Sequence, residues 1–351
     1  MNVFIERRVM HQRTIIKLWC VLLAVLFTVY GCEDGEDGQD GKDGVTAVLV
    51  VPDEVSDIQT AIDSTSNIGG GTVYIKSGVY NLSKGIHINS SNITLTGEQG
   101  TLLKLNDNVN QPVLLIGDDA EIPDVSIENI KIEKIEIDGN KDLQNSETDP
   151  NRSWIRNNCI DIRKANDVRI SEVDLHDARS GGIVVSWNSR YIFIDNSFFH
   201  HNFFDGIALY DSEDIFVTNF FCHYNQAAGL SLDNDLKGTI LSTGSIKNNG
   251  DVGIFARHSK EVEFNNLVIA YNLSHGCFLS HESINTETGV NQLLFTDCSF
   301  YNNEGYGFWL ASPASESSKI TIQASIFSDN IRGAINMDPN GELYQTGNVF
   351  L

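Results

Sequence analysis

Basic side chains are scarce. The chain carries 24 Lys and Arg against 47 Asp and Glu, a formal net charge of -23. A surface of that sign repels phosphate, so nucleic acid is excluded as a partner. Proline is scarce as well, with 6 in 351 residues, which excludes a collagenous or polyproline architecture. The 6 cysteines, Cys20, Cys32, Cys159, Cys222, Cys277 and Cys298, have no metal-ligand spacing. The last four read as buried small hydrophobes. No phosphate-binding loop, dinucleotide fingerprint or zinc spacing occurs, so neither a cofactor nor a metal is predicted. The apolar run Leu18 to Val29 is too short to span a bilayer comfortably.

What the chain does have is a repeat. Gly182-Ile-Val-Val-Ser, Gly206-Ile-Ala-Leu-Tyr, Gly229-Leu-Ser-Leu-Asp, Gly253-Ile-Phe-Ala-Arg and Gly276-Cys-Phe-Leu-Ser are spaced 24, 23, 24 and 23 residues apart. Asn202, Asn225, Asn249 and Asn272 stand four residues before the last four glycines, and Asn303/Gly307 and Asn330/Gly333 extend the series. A fixed period in the low twenties, with period-2 alternation inside each copy, is the mark of a solenoid. The leucine-plus-asparagine consensus of leucine-rich repeats is absent. The fold expected is therefore all-β: a single right-handed parallel β-helix with one coil per repeat.

The alternation assigns faces, because successive side chains of a strand point to opposite sides. Ile207 and Leu209 point inward, Ala208 and Tyr210 outward. Further inward pairs are Ser197/Phe199, Phe220/Cys222, Leu267/Ile269 and Cys298/Phe300, then Ile192/Ile194, Ile215/Val217, Val262/Phe264, Leu293/Phe295 and Ile320/Ile322. Three strands per coil are expected. The asparagines should stack as an amide ladder at one corner, with the following glycine easing the turn.

Residues 1–31 read as a secretory signal, with Arg7, Arg8, Arg13 and Lys17 ahead of the apolar run. Val29-Tyr30-Gly31-Cys32 resembles the bacterial lipobox, which implies lipidation of Cys32 and anchoring in the outer membrane. Residues 32–46, acidic and rich in glycine, read as a flexible tether. An acidic run after the lipid cysteine resembles the surface-export signal of Bacteroidota-type lipoproteins and implies an outward-facing protein. The folded domain is expected over 47–351. Ser56-Asp57-Ile58-Gln59 reads as a capping box opening a short helix that plugs the first end of the solenoid.

Past that helix come Gly69-Gly70-Gly71-Thr72-Val73-Tyr74, Gly78-Val79-Tyr80 and Asn92-Ile93-Thr94-Leu95-Thr96-Gly97. In this order they resemble the entry to pectin-lyase-like right-handed β-helices. Asp138-Gly139-Asn140-Lys141 and His201-Asn202-Phe203-Phe204-Asp205-Gly206 resemble the catalytic modules of mannuronan (alginate) C5-epimerases. The resemblance covers most of residues 50–340 and implies an acidic polysaccharide as partner. Where those modules carry Tyr-Gly-Phe-Asp-Pro-His, this chain has Gly181-Gly182-Ile183-Val184-Val185-Ser186, so the family's catalytic motif is not retained.

Two outward columns therefore have to be read directly. One runs Asp161, Val184, Ala208, Ser231, Phe255, Phe278, Trp309; the other runs Arg163, Ser186, Tyr210, Asp233, Arg257, Ser280, Ala311. Asp211, Asn234, His258 and His281 follow at the turn. Phe255, Phe278 and Trp309 form a candidate stacking platform for sugar rings. Tyr210, Asp233, Arg257 and His281 form a candidate catalytic cluster: Arg257 to neutralise a uronate carboxylate, Tyr210 or His281 to shuttle protons, Asp233 to orient. Arg163, Asp211 and His258 are candidate substrate contacts, as are Arg152, Trp154 and Arg156 in the insertion Lys141–Asn157. Insertions at His281–Gln292 and Ser312–Lys319 leave from the other end of this face. The histidines near the asparagine corner, His176, His200, His201 and His223, read as stacked polar residues. The activity expected is a lyase or epimerase beginning with C5-proton abstraction. The alternatives are a glycan-binding or adhesive surface protein, and a hydrolase using Asp211 and Asp233. Cys32→Ala should abolish lipid labelling and release the protein from the membrane fraction; unchanged labelling and fractionation would overturn the anchor.

Overall fold

The structure, a computed structural model, describes residues 47–280, 289–311 and 317–351. Cys32, the tether and His281 lie outside the described residues. From Ala47 the chain winds as a right-handed parallel β-helix of about 12 turns. One face is a ten-stranded sheet running from Ile86–Ile88 to Gly333–Met337. Its register places Ile160, Ile183, Ile207, Leu230, Ile254, Cys277, Phe308 and Ile335 in one line.

The remaining faces differ from the three-strand expectation. Strands such as Arg190–His200, Glu213–His223 and Ser259–Ala270 each carry two of the expected inward pairs in one continuous run. Between the two inward pairs of each run the chain bends at one left-handed residue, Asn196, Asn219 and Asn266, with φ of 49°, 50° and 53°; a second left-handed residue, Tyr191, Asp214 and Glu261, stands near the start of each run. Asparagine tolerates that conformation better than most residues. A bend of one residue leaves the ladder to the next coil intact on both sides, so two strands become one.

The core is the set of inward residues that the alternation identifies. Ile207, Leu209, Phe199, Phe220, Cys222, Phe264, Phe295 and Phe300 are all fully buried. Where aromatics occupy one inward line in adjacent coils they lie face to face: Phe264 and Phe295 have centroids 4.2 Å apart with planes within 4°.

Asn202, Asn225, Asn249, Asn272, Asn303 and Asn330 form the predicted ladder, all buried. Each Nδ2 from Asn202 to Asn303 donates to Oδ1 of the asparagine one coil on, at 2.8–3.1 Å. The same Nδ2 donates its second proton to a backbone carbonyl, as Asn249 does to Cys222 O at 3.1 Å. The acceptor Oδ1 also takes a backbone N–H, so the amide's polar groups are satisfied without water.

The conserved spacing of glycine has a different cause from the one expected. Gly206 and Gly229 are not in the left-handed region. A Cβ at Gly229 would lie 2.4 Å from Ile246 Cγ2 and 2.8 Å from Asn249 Nδ2. The glycine makes room for the ladder rather than easing a turn.

The helix Ile58–Asn67 buries Ile58, Ala61, Ile62 and Thr65 against the first coils. Its cap is Asp57, whose carboxylate accepts from Thr60 N at 2.8 Å, and not the expected Ser56. Gln59 exchanges hydrogen bonds with the backbone of His87, at 2.7 and 2.9 Å, tying the helix to the first strand of the ten-stranded sheet. Asn249→Ala should lower unfolding free energy by about 1–3 kcal/mol, the cost of leaving buried partners unpaired. Urea denaturation would measure it, and a loss within error of zero would remove the ladder as a stabilising element.

Candidate functional site

The outward side of the ten-stranded sheet carries the register Asp161, Val184, Ala208, Ser231, Phe255, Phe278, Trp309. Two hollows open along it, the first of about 630 Å³ and the second of about 660 Å³.

The first hollow is walled by the hairpin Thr148–Asp149/Arg152–Arg156. Arg152, expected to touch substrate, instead braces this wall through Asp149 at 2.7 Å and Asp119 at 2.6 Å. Trp154 Nε1 donates to Asp119 O at 3.0 Å, and its ring lines the hollow. Arg163 is also structural: buried, it donates to the carbonyls of Asp118, Ala120 and Trp154 at 3.1, 2.6 and 3.4 Å. Arg156 is exposed, with its guanidinium 5.3 Å from the Phe204 ring centroid, and makes no ion pair with a described residue.

Two carboxyls in this hollow are displaced toward neutrality. Burial pushes Asp161 up to about 6, against the pull of Arg163 and Arg156. Burial also pushes Asp205 up to about 6, against its 2.9 Å hydrogen bond from Ala228 N. The Tyr210 hydroxyl is pushed above its ordinary value by burial and by the Asp205 charge, and donates to Ser231 Oγ at 3.3 Å. Beside them stands Asn158, 1% exposed, whose Oδ1 accepts from Gly181 N at 2.8 Å. Its buried Nδ2 faces the Asp161 carboxyl and helps to hold it in the charged form against burial. Asp161 lies one coil before Val184 in the same outward column, so an acidic group does occupy that column, displaced by one coil.

The structure divides the cluster read from the sequence. Tyr210 lines the first hollow, whereas Arg257 lines the second. Asp233 is buried and receives Arg257 Nε at 2.9 Å together with Arg257 Nη2. That pairing sets Asp233 against Arg257, while Asp211 lines the first hollow. Asp211 and His258 line the first hollow, Asp211 raised by burial and by Asp235, and His258 Nε2 lies 3.1 Å from Asp235. Phe255, Phe278 and Trp309 are half-buried and line the second hollow. The sequence reading quotes Asp205 within the stretch that resembles epimerase modules but gives it no role, because its column, Gly181, Asp205, Ala228, Val252, has no periodic chemistry.

On another face, Asp138, His176 and Asp177 bring ligand-type atoms within 4.8 Å of one another. Lys104 holds Asp138 at 2.5 Å and Lys141 holds Asp177 at 2.8 Å. His176 bridges Asp177 at 2.8 Å and Glu136 at 3.2 Å, and stacks on His200 with planes within 3°. Burial lowers the His176 pKa, but these carboxylates more than offset it. With each Asp already neutralised by lysine, the group is an ion-pair network.

Comparison with known proteins agrees with the fold. A model described as the right-handed beta helix region matches residues 158–312. No curated protein matches by sequence. Among solved structures, the mannuronan C-5 epimerase AlgE4 A-module of Azotobacter vinelandii superposes with a TM-score of 0.64 at 18% identity, over 86% of this chain and 92% of that one. The AlgE6 A-module of the same organism gives 0.57 at 16% identity, over 84% and 94%. The surface adhesin PfbA of Streptococcus pneumoniae gives 0.62 at 15%, over 87% and 97%. The chain is a right-handed parallel β-helix protein.

Burial of Asp161 has a stability consequence. Its folded pKa lies above the unfolded value, so its contribution is fully present below the ordinary value of 3.8 and is lost as pH rises through about 6. Asp161→Asn should therefore raise unfolding free energy at about pH 8, by up to about 3 kcal/mol, and change little near pH 4. Equal stability of the two proteins at the higher pH would overturn the assignment.

Proposed function

We propose that the protein lays an acidic polysaccharide along the ten-stranded sheet and acts on a uronate unit in the first hollow, as a lyase or epimerase. The observation that carries this is the pairing, in one hollow, of two carboxyls near pKa 6 with an exposed guanidinium, Arg156, that has no ion pair among the described residues. Arg156 faces the sugar carboxylate. Asp161, in its neutral form, adds a hydrogen bond to the same group, which makes the C5 proton more acidic. Asp205, ionised above about pH 6, takes that proton. Tyr210, whose raised pKa keeps it protonated, returns a proton to C5 from the other face or gives it to the leaving oxygen. The similarity to alginate epimerase modules supports the substrate class, and lipidation at Cys32 would display the groove at the cell surface.

The similarity to an adhesin favours a second reading, in which the same groove binds glycan without turnover. Incubation with a panel of uronate polysaccharides separates the two, read by absorbance of unsaturated products and by NMR of the sugar configuration. Under the first reading, Asp205→Asn lowers kcat about 10²–10⁴-fold, the usual range for a general acid or base. The wild-type rate should follow a bell with its maximum near pH 6, falling below it as Asp205 is protonated and above it as Asp161 ionises. Full activity in Asp205→Asn would remove the mechanism; binding by the wild type with no product would establish the second reading.

A further inference from the structure

Aromatic residues that share a line in adjacent coils of this protein stack flat. Phe193 and Phe216 lie within 8°, Phe198 and Phe221 within 9°, and Phe300 and Phe327 within 5°. In those ladders each ring face is covered by the next ring. The second hollow breaks the pattern. Phe255 and Phe278 are tilted by 46°, with centroids 6.1 Å apart, and Phe278 and Trp309 by 50° at 4.9 Å. Rings splayed this far do not cover one another's faces, and all three line the hollow.

The splay has a support behind it. His275 is 7% exposed and accepts a hydrogen bond from Tyr306 N at 2.9 Å through Nδ1. It meets Trp309 edge-on at 4.7 Å and lies 5.9 Å from Phe278. Burial and Arg332 lower its pKa, which favours the neutral ring. The platform is therefore fixed before any ligand arrives, which reduces the ordering cost of binding. Among the described residues its ionisable lining groups are Arg257, whose charge is paired with Asp233, and the carboxylate of Asp338.

We infer that the second hollow is a stacking subsite for an uncharged sugar unit, and that the polymer this protein recognises mixes uronate with neutral residues. The inference rests on the proposed uronate site in the first hollow. Both hollows lie on one sheet and share its outward column, so a single extended chain meets them in turn. The first hollow offers an exposed cation, Arg156, chemistry suited to a carboxylate. The second offers apolar ring faces, chemistry suited to the C–H face of a neutral pyranose, beside a carboxylate that disfavours a second anion.

The test compares three oligosaccharides of equal length by calorimetry with the full chain: alternating glucuronate and glucose, all glucuronate, and all glucose. The alternating oligomer should bind at least about 10-fold tighter than either uniform one, a difference of about 1.4 kcal/mol. Trp309→Ala should erase its advantage over the all-glucuronate oligomer, and Trp309→Phe, which keeps a ring, should retain most of it. Equal binding of the all-glucuronate oligomer to wild type would overturn the inference. So would an advantage that survives Trp309→Ala, or equal binding of the all-glucose oligomer. A ring-dependent advantage with no turnover of any uronate polymer would sustain this subsite while the catalytic reading fails.

Discussion

Every part of the molecule depends on coils stacking in register at the strand spacing of ~4.8 Å. The backbone bonds of a parallel sheet run from coil to coil, so no coil is complete without its neighbours. This makes the corners critical, since a corner that drifts would throw the next coil out of register. The asparagine ladder meets that demand. From Asn202 to Asn303 each amide is held both by a backbone carbonyl of the preceding coil and by the next amide. From Gly206 to Gly307 glycine follows the asparagine because a Cβ there would lie 2.8–2.9 Å from the next amide of the ladder.

Much of this was legible from residues alone. Inward columns such as Ile207/Leu209 and Phe220/Cys222 alternate with a period of 2, and burial is the only force acting on them. The ladder was legible because its chemistry repeats once per coil. The bent strands were not, because a left-handed residue such as Asn196 or Asn219 leaves the alternation on either side unchanged.

The site was less legible for the converse reason: catalytic chemistry is not periodic. Asp205 sits in a column otherwise filled by Gly181, Ala228 and Val252, and nothing in that series announces it. Asp233 and Arg257 share a column, and their adjacency suggested a working cluster. The same adjacency brings opposite charges into contact, and the pair satisfies itself. Arg163 and Arg152 were read as substrate contacts from their charge. Each satisfies carbonyls or carboxylates of the wall, which fixes the shape of the first hollow, and Arg163 also lines it.

The self-contained corner has a consequence for how such a molecule can change. One coil brings its own asparagine, its own glycine and its own inward residues, and asks nothing of distant coils. Duplicating or deleting a coil would preserve the corner contacts on either side while moving side chains such as Tyr210 and Trp309 apart or together by one strand spacing. The separation between the two ends of the groove is thus quantised. Descent by coil duplication can retune which sugars along a chain are read together, without rebuilding the corners.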